Sequence, residues 1–346
     1  MEFRVRSLAL RVEEESRNPL PHKDNSGFFD RDSPGFPRPE AGVYCRPMEP
    51  HTETNSSRPG RTTAPSLRNR LQHYVSLVRL EHALFSLPLF ISGALLAGRE
   101  RFPTWLDWLL IAVAGTAARN LALALNRLID RHIDLHNPRT QKRELPAGKL
   151  NELQVAGFIA VNLVIYAAAA WFIAPVCLYL GWIPLALFSL YPFMKRFTSL
   201  CHLGVGAGLA MAPLGGYLAA AKSWPLSDAA WLLAAFTWLW VSGFDIIYAQ
   251  ADVDFDRRFG VHSLPVRLGK AALRVSAAMH VAAIAVLVIL WALYFDSEPW
   301  LWLPIGAMSV LFVLQHLRSH DIEFAAFRVN TLVGFVMLAF VWVGVA

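Results

Sequence analysis

From about residue 82 to the C-terminus, long apolar runs alternate with short polar connections. The runs lie near 82–99, 107–128, 153–173, 176–193, 200–221, 229–249, 271–294, 299–316 and 328–346. Each has the roughly 17–25 residues that a helix needs to cross a bilayer's hydrocarbon. The pattern predicts an all-α membrane protein with about nine transmembrane helices. Pro88, Pro192 and Pro213 fall inside runs, where neighbouring helices can re-satisfy the freed backbone groups. Gly204, Gly206, Gly208, Gly215 and Gly216 mark the fifth run as a helix that packs closely on its neighbours.

Residues 1–66 break the pattern. They are rich in Pro, Ser, Arg and Glu and lack apolar periodicity, so they cannot bury enough surface to offset the entropy of ordering. They are predicted to be a disordered N-terminal tail with no secretory h-region, followed by one transmembrane domain over 67–346. Met48 is an alternative start within that tail.

Composition agrees with the membrane reading. Of 346 residues, 55% are hydrophobic and only 17% charged, which excludes an ordinary soluble enzyme. The net charge of +6 is not a nucleic-acid footprint, because the cations gather in alternate loops. Arg131, Arg139, Lys142, Arg143 and Lys149 follow the second run; Lys195 and Arg196 follow the fourth; Arg257, Arg258, Arg267, Lys270 and Arg274 follow the sixth. The positive-inside rule assigns these loops to the cytoplasm, with Arg99, Glu100 and Arg101 a mild exception. Cys45, Cys177 and Cys201 have neither disulfide nor zinc spacing.

Two acidic sets sit at the ends of apolar runs, where carboxylates are costly without a role. At about 100° per residue, Asn126, Asp130 and Asp134 fan over roughly 80° of a helix, and so do Asp245, Tyr248, Asp252 and Asp256. Asp254 lies off its stripe and is expected to be solvated. Both sets fall on the same predicted side. Mg²⁺ prefers oxygen ligands and is held by one or two carboxylates plus substrate phosphate oxygens. Two facing acidic stripes with cationic loops beside them therefore suit a diphosphate held through divalent metal. Arg139, Lys142 and Arg143 follow the first stripe directly; Lys195, Arg196 and Arg257 are further cations for its oxygens. Arg119 shares the face of Asn126 inside the second run, where an Arg normally faces an internal polar cavity. A charged mouth on an apolar bundle suits an amphiphile such as an isoprenyl diphosphate.

These residues resemble the UbiA family of intramembrane aromatic prenyltransferases, over about 75–346. The family's N-x-x-x-D-x-x-x-D motif matches Asn126, Asp130 and Asp134. Its D-x-x-Y-A-x-x-D-x-x-x-D motif matches Asp245, Tyr248, Ala249, Asp252 and Asp256. Tyr191-Pro-Phe-Met-Lys195-Arg196 and Arg119 look like the 4-hydroxybenzoate polyprenyltransferase branch. Asn126-Arg-Leu-Ile-Asp130-Arg131, Cys201-His202-Leu and His262-Ser263-Leu-Pro-Val-Arg267 look like the subgroup of the futalosine route to menaquinone. Many relatives carry Asn-Asp where this chain has Asn126-Arg127.

The resemblance implies a UbiA-type bundle in the bacterial plasma membrane with a cytosolic-side active site. Mg²⁺ and diphosphate would be held by Asn126, Asp130, Asp134, Asp252 and Asp256. Arg139, Lys142 and Arg143 would bind diphosphate. Asp245 and Tyr248 would orient or activate an aromatic acid, whose carboxylate would pair with Arg79 or Arg119. The implied reaction transfers a polyprenyl group from its diphosphate to 4-hydroxybenzoate or a related naphthoate, for ubiquinone or menaquinone. A haem O synthase or chlorophyll synthase-like enzyme, or a transporter, are the competing readings.

Overall fold

A computed structural model describes residues 67–78 and 83–346. The expectations for residues 1–66 and for Arg79 lie outside the described residues. The described residues form α1 (Leu67–Leu77), α2 (Ala83–Ala97), α3 (Trp105–Ile129), α4 (Arg131–His136), α5 (Glu152–Ile173), α6 (Pro175–Leu180) and α7 (Trp182–Met194). They continue with α8 (Cys201–Ala221), α9 (Asp228–Tyr248), a 3₁₀ turn (Ala249–Asp252), α10 (Val253–Phe259) and α11 (Leu264–Leu268). The last elements are α12 (Ala271–Tyr294), α13 (Trp302–Leu317), a π turn (Phe324–Arg328) and α14 (Val329–Val345). The described residues contain no strand. Among the described residues, eight helical segments are long and apolar enough to cross a membrane, and α2 is a shorter apolar helix beside them.

Local chemistry sets the helix boundaries. Thr104 and Asp107 form a capping box at the start of α3, and Asn151 and Gln154 form one at the start of α5, satisfying backbone N–H groups that a helix start leaves open. The fourth apolar run divides into α6 and α7 at Gly181.

Helix α8 lies at the centre, packed on α2, α7 and α9; α9 also packs on α12, α3 on α5, and α2 on α14. Two glycines of α8 permit its own closest approaches. A Cβ on Gly216 would lie 2.1 Å from the Phe90 carbonyl oxygen, and one on Gly206 would lie 2.1 Å from Ser242 Oγ. Gly208 and Gly215 are in ordinary contact only, so the close-packing role predicted for the run does not extend to them. Phe236, Trp240, Leu287 and Met337 fill the interior. Leu153, Phe172, Val281 and Leu303 are exposed on the outside, the surface such a bundle offers to lipid.

The helices deliver both acidic sets to one end. There Arg196 donates to the Ile129 carbonyl at 2.7 Å, and the His262 N–H donates to the Lys195 carbonyl at 2.8 Å. At the other end Arg101 donates to the Ala220 carbonyl at 2.8 Å, and the Tyr217 hydroxyl donates to Glu100 at 2.7 Å.

Candidate functional site

Each acidic stripe straddles a break in its helix. Asn126 ends α3, Asp130 is the cap residue between α3 and α4, and Asp134 belongs to α4. Asp245 and Tyr248 end α9, Asp252 closes the 3₁₀ turn, and Asp256 lies in α10. A fan of roughly 80° holds for a continuous helix. The first stripe survives because the break is tight: the Asp130 N–H reaches the Asn126 carbonyl at 2.9 Å and the Asp134 N–H reaches the Asp130 carbonyl at 2.8 Å.

The loop after α4 joins the two sets. Arg139 lays its fork on Asp252, with Nε 2.9 Å from Oδ1 and a terminal nitrogen 2.5 Å from Oδ2. Its other terminal nitrogen donates to the Tyr248 hydroxyl, and its guanidinium lies 4.8 Å from the centre of that ring. Asn137 supports this clasp: its amide nitrogen donates to Asp252 Oδ1 at 3.0 Å, and its oxygen accepts from the Arg139 N–H at 2.9 Å. Arg143 donates to Asp134 Oδ2 at 2.7 Å. From the end of α7, Lys195 donates to Asp130 Oδ2 at 2.6 Å, and Asn126 donates to the same oxygen at 3.2 Å. Tyr191 on α7 stands close to Asn126, Asp130 and Asp245. His202, buried in the first turn of α8, meets Asp245 at 2.7 Å.

Asp130, Asp134 and Asp256 are buried. Burial holds the Asp130 carboxyl above the usual carboxylate range, against the pull of Lys195. Its second oxygen, Oδ1, is buried with no hydrogen-bond partner. Such an oxygen is costly unless something charged meets it. A divalent cation fits that orphan, and the donor set is all oxygen, as Mg²⁺ prefers. No three His, Cys, Asp or Glu residues among the described residues converge as a complete metal cage. Mg²⁺ does not need one when substrate phosphates and water supply the remaining ligands.

Other predicted residues stand apart. Lys142 and Arg257 are exposed, and no hydrogen bond or ion pair joins them to the carboxylates. Arg196 turns to the Ile129 carbonyl and stacks 4.9 Å from the Phe193 ring centre. Arg119 is half-buried in the bundle, donating to Ser86 Oγ at 3.0 Å, roughly 10 Å along the helix from Asn126. Asp254 is exposed, as its off-stripe position predicts. Arg127 is buried and lies 3.8 Å from Glu144, which also accepts from the Ser76 hydroxyl at 2.5 Å. It anchors the loop that carries Arg139 and Arg143. The sequence reading missed Asn137, Tyr191 and His202 as site residues. Asn137 and Tyr191 gave no spacing signal, whereas His202, a polar residue opening an apolar helix, was the visible clue.

An all-α bundle with two carboxylate sets and a cationic loop at one polar mouth defines an integral membrane protein built to handle a charged group at the end of an apolar interior. The chain belongs to the UbiA prenyltransferase family, which matches residues 86–343, and it is a prenyltransferase. It is 30% identical to a 4-hydroxybenzoate octaprenyltransferase of Vibrio parahaemolyticus over 271 residues, covering 76% of this chain and 94% of that protein. It is also 30% identical to a protein of the same name from Marinobacter nauticus, covering 78% and 92%. The structure resembles a UbiA homologue from Aeropyrum pernix K1 in its apo form, with TM-score 0.68 and 32% identity over 75% of this chain and 96% of that one. A UbiA homologue from Archaeoglobus fulgidus bound to GPP and Mg²⁺ shares the fold, with TM-score 0.57 and 16% identity over 79% of this chain and 98% of that one.

Proposed function

We propose that the protein is a Mg²⁺-dependent polyprenyltransferase. It moves the polyprenyl group of a polyprenyl diphosphate onto an aromatic acid, 4-hydroxybenzoate or a related naphthoate, in ubiquinone or menaquinone biosynthesis. The observation that carries this reading is the meeting of both acidic sets with Arg139, Arg143 and Lys195 in one polar mouth. The names of the relatives and the GPP- and Mg²⁺-bound homologue agree with it.

Asn126, Asp130, Asp134, Asp252 and Asp256 would hold the metal, and Asp130 Oδ1 is the open oxygen among them. With Mg²⁺ held there, the charge that builds on the departing diphosphate would be neutralised. Arg139, Arg143 and Lys195 exchange their carboxylate partners for diphosphate oxygens as substrate arrives, with Lys142, Arg196 and Arg257 adding positive potential around the mouth. The C–O bond to diphosphate breaks, a bond forms from the prenyl carbon to the acceptor ring, and the ring loses a proton. The apolar bundle excludes water from the allylic cation meanwhile. Asp245 and Tyr248 orient or activate the acceptor, and Arg119 pairs with its carboxylate. In the positive-inside orientation the mouth faces the cytoplasm of a bacterial plasma membrane.

The test is incorporation of labelled prenyl diphosphate by purified enzyme, with and without Mg²⁺, across a panel of acceptors. Product is expected with 4-hydroxybenzoate or a naphthoate, and only with divalent metal. Prenylation of haem or a chlorophyll precursor alone, or metal-independent product, would contradict the assignment.

A further inference from the structure

We propose that His202 is a positioning residue that sets the Asp245 carboxylate for the aromatic acceptor. The inference rests on the acceptor role given to Asp245 above.

His202 is 2% exposed. Its Nδ1 lies 2.7 Å from Asp245 Oδ2, and its Nε2 lies 3.2 Å from the backbone nitrogen of Leu264. A backbone N–H can only donate, so Nε2 must be the acceptor. The ring proton then belongs on Nδ1, where it donates to Asp245. Both nitrogens are thereby engaged within the protein. His202 has neither a proton nor a lone pair to offer a substrate, which separates positioning from acid–base chemistry.

Asp245 is held by one oxygen only. Its side chain is 21% exposed, and among the described residues no hydrogen bond engages its second oxygen, Oδ1. The Tyr191 phenol lies within electrostatic reach of that carboxylate. An acceptor hydroxyl meeting Oδ1 would find its direction fixed by the His202 bond to Oδ2. The same imidazole ties the first residue of α11 to the core, so the segment after the second acidic set and the carboxylate are held by one ring.

The two bonds can be separated by substitution. His202→Asn keeps an amide donor near the place of Nδ1 and gives up the Leu264 contact. His202→Gln reaches toward Leu264 and gives up the bond to Asp245. Steady-state kinetics would be measured with each substrate varied in turn, on detergent-purified protein that remains monodisperse. His202→Asn is expected to keep kcat/KM for the acceptor within about 3-fold, while His202→Gln loses about 10-fold or more, with KM for prenyl diphosphate unchanged in both. In an Asp245→Asn background, His202→Gln should add no further loss.

A Gln variant with normal acceptor kinetics would overturn the proposal. So would equal losses in both variants, equal losses toward both substrates, or a Gln variant that fails to fold while Asn folds. If Asp245→Asn alone leaves acceptor kinetics unchanged, the acceptor role of Asp245 fails instead, and the two failures are told apart.

Discussion

Both ends of the bundle bury a carboxylate to the same degree, yet the two are satisfied differently. Asp107, at the start of α3, is 2% exposed and receives Lys222 on Oδ1 at 2.7 Å. Its Oδ2 receives Arg101 at 3.0 Å and the Thr104 N–H at 2.9 Å. Asp130, at the other end of α3, is also 2% exposed, but Lys195 and Asn126 share its Oδ2 while Oδ1 has no partner. One carboxylate is saturated by its own protein; the other is left with an open oxygen at the end that also holds Asp134, Asp245, Asp252 and Asp256. A buried charge with all its bonds made is a fastening, here of the α2–α3 connection to the end of α8. A buried charge with an open oxygen is unfinished without a ligand. The proposed substrate end thus stands out by one open oxygen, on Asp130, since Asp252 beside it is bonded on both oxygens by Arg139 and Asn137.

That contrast breaks most sharply at the acidic mouth. Asp130→Ala and Asp252→Ala are each expected to lower prenyl transfer by roughly 100-fold or more, about 3 kcal/mol of transition-state stabilisation. Asp130→Ala strands Lys195 and Asp252→Ala strands Arg139, so both purified variants are expected to unfold below the wild-type temperature while staying folded under assay conditions. Near-normal turnover in either variant at saturating Mg²⁺ would mean that the two stripes do not act as one site.

Arg119 comes next. Arg119→Leu is expected to cut kcat/KM by about 10-fold while the protein still accumulates in membranes, and Arg119→Lys should restore little, since lysine lacks the planar fork that grips a carboxylate at two points. An active leucine variant would make Arg119 a helix-packing residue rather than a substrate-binding one.

At the saturated end the effect should invert. Asp107→Asn is expected to cost about 1–3 kcal/mol of stability through its stranded cations, discounted for the partial exposure of Arg101 and Lys222. Activity per folded molecule should stay within a few-fold. A fall in turnover with no fall in unfolding temperature would erase the distinction between the two ends. The smallest effect is expected from deleting residues 1–66, because both acidic sets lie far outside them in the sequence; specific activity in membranes should change by no more than about 3-fold, within the range of indirect effects.

The apolar runs made the helices legible, because hydrocarbon thickness leaves little freedom in segment length. They left the division at Gly181 hidden, since both halves are equally apolar. The acidic residues were legible from helical spacing, although each stripe proves to cross a helix break. What spacing could not supply was the partner of each charge. Arg139, Arg143, Lys142 and Arg257 look alike in a basic loop, and only the fold separates the first two, which reach Asp252 and Asp134, from the exposed pair. Arg127 looks like a lost carboxylate in the first motif. In the structure it points off the stripe to Glu144 and anchors the loop that delivers Arg139. Asn137, Tyr191 and His202 enter the site through contacts 40 or more residues away in sequence, which periodicity within one helix cannot reveal.

The central claim is that the two acidic sets make one divalent-metal and diphosphate site. It is tested most directly by the thermal unfolding of purified wild-type, Asp130→Ala and Asp252→Ala protein with a non-cleavable prenyl thiodiphosphate, with Mg²⁺ or with EDTA. Binding to the folded state alone raises the unfolding temperature. The wild type is expected to be stabilised by the analogue only when Mg²⁺ is present, and both single variants are expected to lose that Mg²⁺-dependent rise. A variant of either stripe that keeps the full rise, or a wild-type rise of equal size in EDTA, would contradict the account.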